Sequence, residues 1–261
     1  MKNELTGQGT AYLHGGVGRP LIFIHGWSMA APVWQRQIYH FSNSGYEVAA
    51  IDLRGHGKSL KDGPYTISQF AYDLKNFIHD RGYEKPVLVG WSMGAMVALE
   101  FVIKHPSKAA GICLVGGMPR FTEADDYTPG LPLKDVKGMK LKLKRDFERT
   151  IGEFRGAISN GLSESDKEIL MHSTYPELKA SKACLVELME ADLREGLGKI
   201  KLPTLLIHGD KDRVSYSAAS EYMLERIPGA SLSLIKDAGH VPFLSHQDEF
   251  NEALEEFLRR I

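Results

Sequence analysis

The stretch VLVGWSMGAMVALEFV, residues 87–102, decides the fold. It opens with a continuous apolar run typical of a buried strand and closes with an apolar run of helical spacing. Between the two runs, Ser92 has a glycine two positions away on either side, Gly90 and Gly94. A strand that turns into a helix this quickly needs small neighbours, because a Cβ at either glycine would crowd the backbone. The pattern predicts either a tight turn or a serine displayed as a nucleophile, and its position after a strand and before a helix favours the nucleophile.

Strand-like and helix-like segments alternate along most of the chain. Short β-branched runs predict strands at 21–25, 46–52, 86–90, 109–116, 203–209 and 230–235. Apolar residues at spacings of three and four predict helices at 32–41, 67–80, 93–105 and 248–261. This alternation predicts an α/β fold with a mainly parallel central sheet flanked by helices. Residues 119–200 break the rhythm with charged, helical patches, so we expect a helical lid (119–200) on a core made of 1–118 and 201–261.

Composition narrows the class of protein. The chain has 261 residues, of which 43% are hydrophobic and 25% charged, and its formal net charge is -1. This near-neutral balance gives no indication of nucleic-acid or membrane binding. With only two cysteines, no apolar leader and no apolar run long enough to span a membrane, we expect a cytoplasmic protein, and we expect a monomer.

A nucleophilic serine needs a base and a group that orients the base. His240 lies in the loop after the last predicted strand, and imidazole can accept and return a hydroxyl proton near neutral pH. The loop after strand 203–209 offers two carboxylates; Asp212 lies further into the loop and is preferred, with Asp210 as the alternative. We therefore predict the catalytic residues Ser92, Asp212 and His240.

Two backbone N–H groups are candidates for an oxyanion hole. One donor normally follows the nucleophile, and the other comes from a loop after an earlier strand, which nominates the amides of Met93 and Trp27. Three further histidines flank strand ends and are expected to be structural or to support the site: His25, His56 and His208.

Other chemistries lack their motifs. RGHGKS, residues 54–59, ends like a phosphate-binding loop, but the first glycine of that motif is replaced by Asp52. The sequence contains no His-Glu-x-x-His and no cysteine spacing typical of a metal site, so we expect neither metal nor cofactor.

The combined motifs resemble the α/β-hydrolase superfamily over nearly the whole chain. A narrower resemblance is to the carboxylesterases that demethylate pimeloyl-acyl carrier protein methyl ester in biotin synthesis. It is carried by HGW (25–27), GWSMG (90–94), VGGMPRFTEADDY (115–127), ADLREGLGKIKLPTLLIHGDKDRV (191–214) and AGHVPFLSHQDEF (238–250).

This resemblance implies a serine esterase that forms an acyl-enzyme and receives its ester on an acidic acyl carrier protein. Residues 134–155 hold eight cations against four anions, which suits such a partner, although a solvated helix face has the same composition. The candidates for carrier contact are Lys142, Arg145, Arg149 and Arg155. Arg149 and Phe154 match the family pattern, whereas Glu153 stands where the family can carry an arginine.

An acyl chain also needs an apolar groove. The candidates for substrate binding are Trp27, Trp91, Phe121, Phe154 and Phe243, although any of them could instead belong to the core. Two rival functions remain open: a general short-chain carboxylesterase or related hydrolase acting on small free esters, and a non-catalytic binding protein of the same fold.

Overall fold

The computed structural model describes residues 2–173 and 177–261. Of the predicted domain ranges, residue 1 of the core and residues 174–176 of the lid lie outside this description. The eight strands are Lys2–Leu5 (β1), Ala11–Gly15 (β2), Arg19–Ile24 (β3), Tyr46–Ile51 (β4), Val87–Trp91 (β5), Gly111–Val115 (β6), Thr204–Gly209 (β7) and Ser231–Ile235 (β8). The helices are Gln35–Ser42 (α1), Ile67–Asp80 (α2), Met93–Lys104 (α3), Leu133–Arg145 (α4), Phe147–Ile158 (α5), Glu164–His172 (α6), Leu178–Glu190 (α7), Ser217–Arg226 (α8), Pro242–Ser245 (α9) and Gln247–Arg260 (α10).

The strands form one sheet in the order β1-β2-β4-β3-β5-β6-β7-β8. Strands β4 to β8 and β3 run parallel to one another, while β1 and β2 pair antiparallel at one edge. The predicted α/β fold with a mainly parallel sheet is confirmed. The six predicted strands correspond to β3–β8, whereas β1 and β2 were not predicted.

Both faces of the sheet are covered, because its strands are apolar on both sides. Alternate residues of β3 belong to different cores: Ile22 and Ile24 lie in one apolar cluster, and Leu21 and Phe23 lie in the other. On one face α2 and α3 pack together, and on the other α1 and α10 pack against the sheet. Site residues are therefore displayed only where the parallel strands end.

Helices α4 to α7 lie between β6 and β7, in the segment predicted to be a lid. The indole Nε1 of Trp27, in the loop after β3, donates a 2.9 Å hydrogen bond to the Ser181 carbonyl of α7. This contact brings the segment against the carboxyl ends of the strands. Its bounds and its action as a lid stay predictions. In the described part of the chain, no helix has the length and apolar character needed to cross a bilayer.

Candidate active site

Ser92 occupies the turn between β5 and α3, with φ 55° and ψ -116°. A Cβ on Gly90 would fall on the backbone of Gly94, and a Cβ on Gly94 would fall on the carbonyl oxygens at the end of β3. The two glycines thus permit the close packing of strand, helix and neighbouring loop. Ser92 remains 8% exposed and is held by its amide, which donates to the Val115 carbonyl at 2.9 Å. A non-glycine residue in this strained conformation is typical of a functional site.

Asp212 and His240 form a buried pair. Oδ2 of Asp212 lies 2.7 Å from Nδ1 of His240. The other carboxylate oxygen, Oδ1, accepts hydrogen bonds from the amides of Val214 and Ser215 at 2.8 and 3.0 Å. Because a carboxylate only accepts, Nδ1 of His240 carries the proton and Nε2 keeps its lone pair. The pair thus has the arrangement that orients a general base.

The lone pair of His240 has no partner in the described part of the chain. Nε2 is buried and lacks a hydrogen bond within residues 2–173 and 177–261. The imidazole is held next to the nucleophile turn by Trp91, whose Nε1 donates to the His240 carbonyl at 2.8 Å and whose ring centroid lies 5.4 Å from the imidazole. The described residues show no hydrogen bond between Ser92 and His240, so that contact stays a prediction.

Opposing effects set the pKa of Asp212. Burial would raise this pKa, but attraction to His240 and hydrogen bonds from His208 and His240 outweigh burial and hold it well below the usual range. The carboxylate therefore stays ionised at neutral pH. Asp210, the alternative at the sequence level, has an exposed side chain, while its amide donates to the Ile235 carbonyl. The structure brings Asp212, and not Asp210, to the imidazole.

The two predicted oxyanion donors lie on either side of the serine. Met93 is the first residue of α3, where backbone N–H groups point out of the helix. Trp27 follows Gly26, at which a Cβ would lie 3.3 Å from Cβ of Ser92 and 3.1 Å from the Trp91 ring. In the described chain, neither the Met93 nor the Trp27 amide donates to another backbone group. Both amides are available to a ligand, and their role as oxyanion donors stays a prediction.

His25 holds the loop that carries Trp27. Its Nδ1 lies 2.8 Å from the Gly26 carbonyl, and its Nε2 accepts from the Leu53 amide at 3.0 Å. The Leu53 bond fixes the Nδ1–H tautomer, so the ring donates to the Gly26 carbonyl. Burial lowers the pKa of His25 to about 4, which keeps it neutral near pH 7. His25 is a structural support of the loop, in line with the sequence expectation.

Residues 19–247 match the family model of the alpha/beta hydrolase fold. The chain belongs to the alpha/beta hydrolase family. It is 30% identical over 251 residues to the pimeloyl-[acyl-carrier protein] methyl ester esterase of Aeromonas hydrophila, covering 93% of this chain and 96% of that protein.

Solved structures place this hydrolase among close structural relatives. An esterase from Exiguobacterium antarcticum superposes with a TM-score of 0.91 at 28% identity, covering 99% of each chain. A bromoperoxidase from Bacillus anthracis has the same TM-score at 27% identity, covering 99% of this chain and 100% of its own. The chain groups with the esterases of its family.

The aromatic residues predicted to bind substrate divide into two sets. Trp27 and Phe154 meet edge to face at 4.9 Å, and half-buried Phe154 contacts both apolar clusters of the hydrolase. Phe121 is buried in the cluster that also contains Trp27 and Met93. These three side chains stay candidates for the acyl groove.

The position of Phe243 corrects the prediction that it binds substrate. The sequence suggested a loop residue facing the site, but Phe243 is the second residue of α9 and its side chain is 0% exposed. Its ring packs 4.2 Å from Trp34, 5.1 Å from Trp91 and 6.0 Å from Phe250. These contacts leave it no accessible surface, so it belongs to the core. Trp91 is 1% exposed, and its contacts hold His240 and fill the core.

The predicted carrier contacts lie on α4 and α5 of the hydrolase. Three of the four, Lys142, Arg145 and Arg149, line a cleft of about 290 Å³ on the surface. Glu153 lies in the same cleft and pairs with Lys142 at 3.1 Å and with Arg149 at 2.9 Å. Arg155 is on α5 but does not line the cleft. The departure from the family pattern at Glu153 therefore engages two of the predicted contacts with one negative charge.

Sequence reasoning missed one residue of the site. Ser215 lies beneath the pair, with Oγ 3.0 Å from Oδ2 of Asp212 and 2.9 Å from the Gly116 carbonyl. A serine three residues after a loop aspartate is a common turn residue, so no signal distinguished it. The described residues contain no cluster of three or more His, Cys, Asp or Glu side chains that could hold a metal ion.

Proposed function

We propose that this hydrolase cleaves the methyl ester of pimeloyl-acyl carrier protein through a serine acyl-enzyme, in the cytoplasm. The observation that carries the proposal is the Asp212–His240 pair with its free Nε2 beside a strained serine turn. The substrate comes from the relatives, since the similar protein of Aeromonas hydrophila is named for this ester.

The first half-reaction forms the acyl-enzyme. Ser92 Oγ attacks the ester carbonyl carbon while Nε2 of His240 takes the hydroxyl proton. The carbonyl electrons move onto oxygen, and the amides of Trp27 and Met93 donate to that oxyanion. When the tetrahedral intermediate collapses, the C–OCH₃ bond breaks and the leaving oxygen takes the proton from His240, which releases methanol.

The second half-reaction returns the free enzyme. Water attacks the acyl carbon and gives one proton to Nε2 of His240, forming a second oxyanion. Its collapse breaks the bond to Ser92 Oγ, which recovers the proton, and the product leaves as the carboxylic acid. Asp212 stabilises the imidazolium in both steps and stays ionised throughout. Its pKa, held far below the usual range, suits that role.

The surface of α4 and α5 supports delivery by a carrier protein. Arg145 forms no salt bridge within the described chain, and Lys142 and Arg149 share one carboxylate between them. The cleft that they line also contains Asp146 and Glu153, so its three cations exceed its two anions by one charge. An acidic carrier would be steered toward it, more strongly at low salt.

The decisive experiment compares kcat/KM for the carrier-linked methyl ester with kcat/KM for a free methyl ester of equal length. We expect the carrier-linked form to be favoured by at least tenfold at low salt and the preference to shrink as salt rises. Ser92→Ala should abolish turnover of both while leaving the fold intact. A well-expressed copy should also restore growth to a biotin-requiring strain that lacks its own demethylating esterase. No preference for the carrier-linked ester would refute the proposed substrate.

Burial of the site favours a second candidate, the hydrolysis of small free esters. Ser92 is 8% exposed, His240 3% and Asp212 6%, so a small ester fits the access better than a bulky one. High kcat/KM on short free esters, with no gain from the carrier and no salt effect, would identify this function. The binding-protein alternative predicts no labelling of Ser92 by a fluorophosphonate probe.

A further inference from the structure

His208 lies at the end of β7, beneath the proposed triad, and is 0% exposed. Its Nε2 is 3.3 Å from Oδ2 of Asp212, the same oxygen that lies 2.7 Å from Nδ1 of His240. Two buried imidazoles therefore share one carboxylate oxygen. The usual triad needs only one imidazole on its carboxylate, so the second requires a separate explanation.

The hydrogen bonds of His208 fix its tautomer. Nε2 also lies 2.8 Å from the Ser215 carbonyl oxygen, and Nδ1 lies 2.8 Å from Oγ of Ser220. The carbonyl can only accept, so Nε2 carries the proton and donates to that carbonyl, while Oδ2 of Asp212 lies in electrostatic contact with the same nitrogen at 3.3 Å. In the neutral ring Nδ1 then accepts from the Ser220 hydroxyl. The imidazole is thus held at both nitrogens.

Ser215 gives His208 a second route to the carboxylate. The Ser215 amide donates to Oδ1 of Asp212 at 3.0 Å, and its Oγ lies 3.0 Å from Oδ2. Because His208 donates to the Ser215 carbonyl, it restrains the residue that donates hydrogen bonds to both oxygens of Asp212. The position of the carboxylate consequently depends on His208 directly and through Ser215.

We infer that His208 is a positioning residue of the triad, which fixes Asp212 and limits the strength with which Asp212 accepts from His240. The inference rests on the proposed roles of Asp212 and His240. An oxygen that already faces one N–H is a weaker acceptor for the next, so the contact with His208 weakens the hydrogen bond that Asp212 accepts from Nδ1 of His240.

The charged groups around Asp212 are few. Within residues 2–173 and 177–261, its salt-bridge partners are His208 and His240. Asp212 also accepts from the amides of Val214 and Ser215 and from the Ser215 hydroxyl, none of which titrates near neutral pH. The hydrogen bond from His208 is also among the causes that lower the pKa of Asp212. A change at His208 should therefore reach His240 through Asp212.

Two amide variants separate positioning from simple packing. The side-chain nitrogen of Gln in His208→Gln can take the place of imidazole Nε2 and reach Asp212. The nitrogen of Asn in His208→Asn takes the place of Nδ1 and reaches only Ser220. The readout is the pH dependence of kcat/KM for p-nitrophenyl butyrate, whose acidic limb reports the base of the free enzyme.

We expect His208→Gln to keep kcat/KM within about threefold of wild type and to leave the acidic limb in place. His208→Asn should lower kcat/KM on the order of tenfold and move the acidic limb upward by roughly half a pH unit to one unit, because Asp212 then accepts more strongly from His240. If His208→Asn fails to fold, Ser220→Ala loosens the Nδ1 side and should give a smaller shift in the same direction.

Equal losses in the two amide variants with an unmoved acidic limb would overturn the inference and leave His208 as a packing residue. Use of a small ester separates this result from the proposed substrate, since loss of the carrier preference does not affect it. Asp212→Asn on the same ester supplies the remaining control. Full activity in Asp212→Asn would refute the proposed triad and the inference together. A large loss in Asp212→Asn would support the triad, and the His208 variants would then test the inference alone.

Discussion

Nε1 of Trp27 donates a 2.9 Å hydrogen bond to the carbonyl oxygen of Ser181, and this bond joins the predicted oxyanion loop to α7. The neighbouring Ser28 Oγ adds a second contact, 2.8 Å from Oγ of Ser181. Trp27 is only 4% exposed, so the carbonyl of Ser181 has little access to water as a substitute partner. The loop that supplies one predicted N–H and the helix above it are therefore mechanically coupled.

Trp27→Phe should loosen that coupling. The phenyl ring retains the contact with Phe154, but the Ser181 carbonyl loses the hydrogen bond that it accepts in addition to the one within α7, at a cost of about 0.5–1.5 kcal/mol. We expect faster amide hydrogen exchange in α7 and a several-fold rise in KM, with a smaller effect on kcat. Trp34→Phe is the matched control, because Nε1 of Trp34 is buried without a hydrogen-bond partner in the described chain. Equal exchange in both variants would show that a general loss of core packing, and not the lost hydrogen bond, accounts for the change in α7.

Gly116 keeps a space that the Asp212–His240 pair needs. It adopts φ 51°, and a Cβ there would lie 3.3 Å from Nδ1 of His240 and 3.4 Å from Oδ2 of Asp212. Gly116→Ala should displace the pair and lower kcat/KM on the order of tenfold. Gly161→Ala is the control, since Gly161 has φ 82° and nothing within 4 Å of the added Cβ. Both variants should lose about 1–2 kcal/mol of stability to backbone strain, but only Gly116→Ala should lose activity.

Two buried histidines make the fold sensitive to acid. Burial, together with repulsion from His25, lowers the pKa of His56 to about 3, and burial lowers the pKa of His25 to about 4. In the unfolded chain both imidazoles become protonated below about pH 6.5, whereas in the folded chain they stay neutral until far lower pH. Their contribution to stability is therefore complete above pH 6.5 and is lost as pH falls toward 4.

His56→Phe should remove one of the two imidazoles that become protonated when the chain unfolds in acid. The free energy of unfolding, measured with urea at several pH values, should then fall less steeply with acid by up to about 1.4 kcal/mol per pH unit. The variant also loses the 3.0 Å contact of Nδ1 with the Arg54 carbonyl, so its absolute stability can drop at pH 7. The slope between about pH 4 and 6, and not the absolute value, tests the claim. An unchanged slope would contradict it.

Sequence periodicity was sufficient for the central sheet because β3 to β8 are short apolar runs between clear helical segments. It was insufficient for β1, whose four residues are all exposed and carry no apolar signal. Spacing also predicted Asp212 and His240, each in a loop that follows a strand, and the structure brings their side chains within 2.7 Å of each other. Phe243 shows where such reasoning fails, because the segment expected to be a loop forms the short helix α9 and turns this ring inward. Three core rings, which no local pattern reveals, hold it there.

Glu153 restrains two cations that an acidic carrier could use, and hydrogen bonds from Lys142 and Arg149 hold its pKa below the usual range. Glu153→Gln should free both side chains and lower KM for the carrier-linked ester by roughly threefold at low salt. The gain should vanish at high salt and be absent with a free ester. Glu148→Gln makes the same charge change on α5 at a residue that forms no salt bridge in the described chain. If both variants lowered KM equally, net charge would explain the gain; a gain confined to Glu153→Gln would locate carrier docking at the cleft.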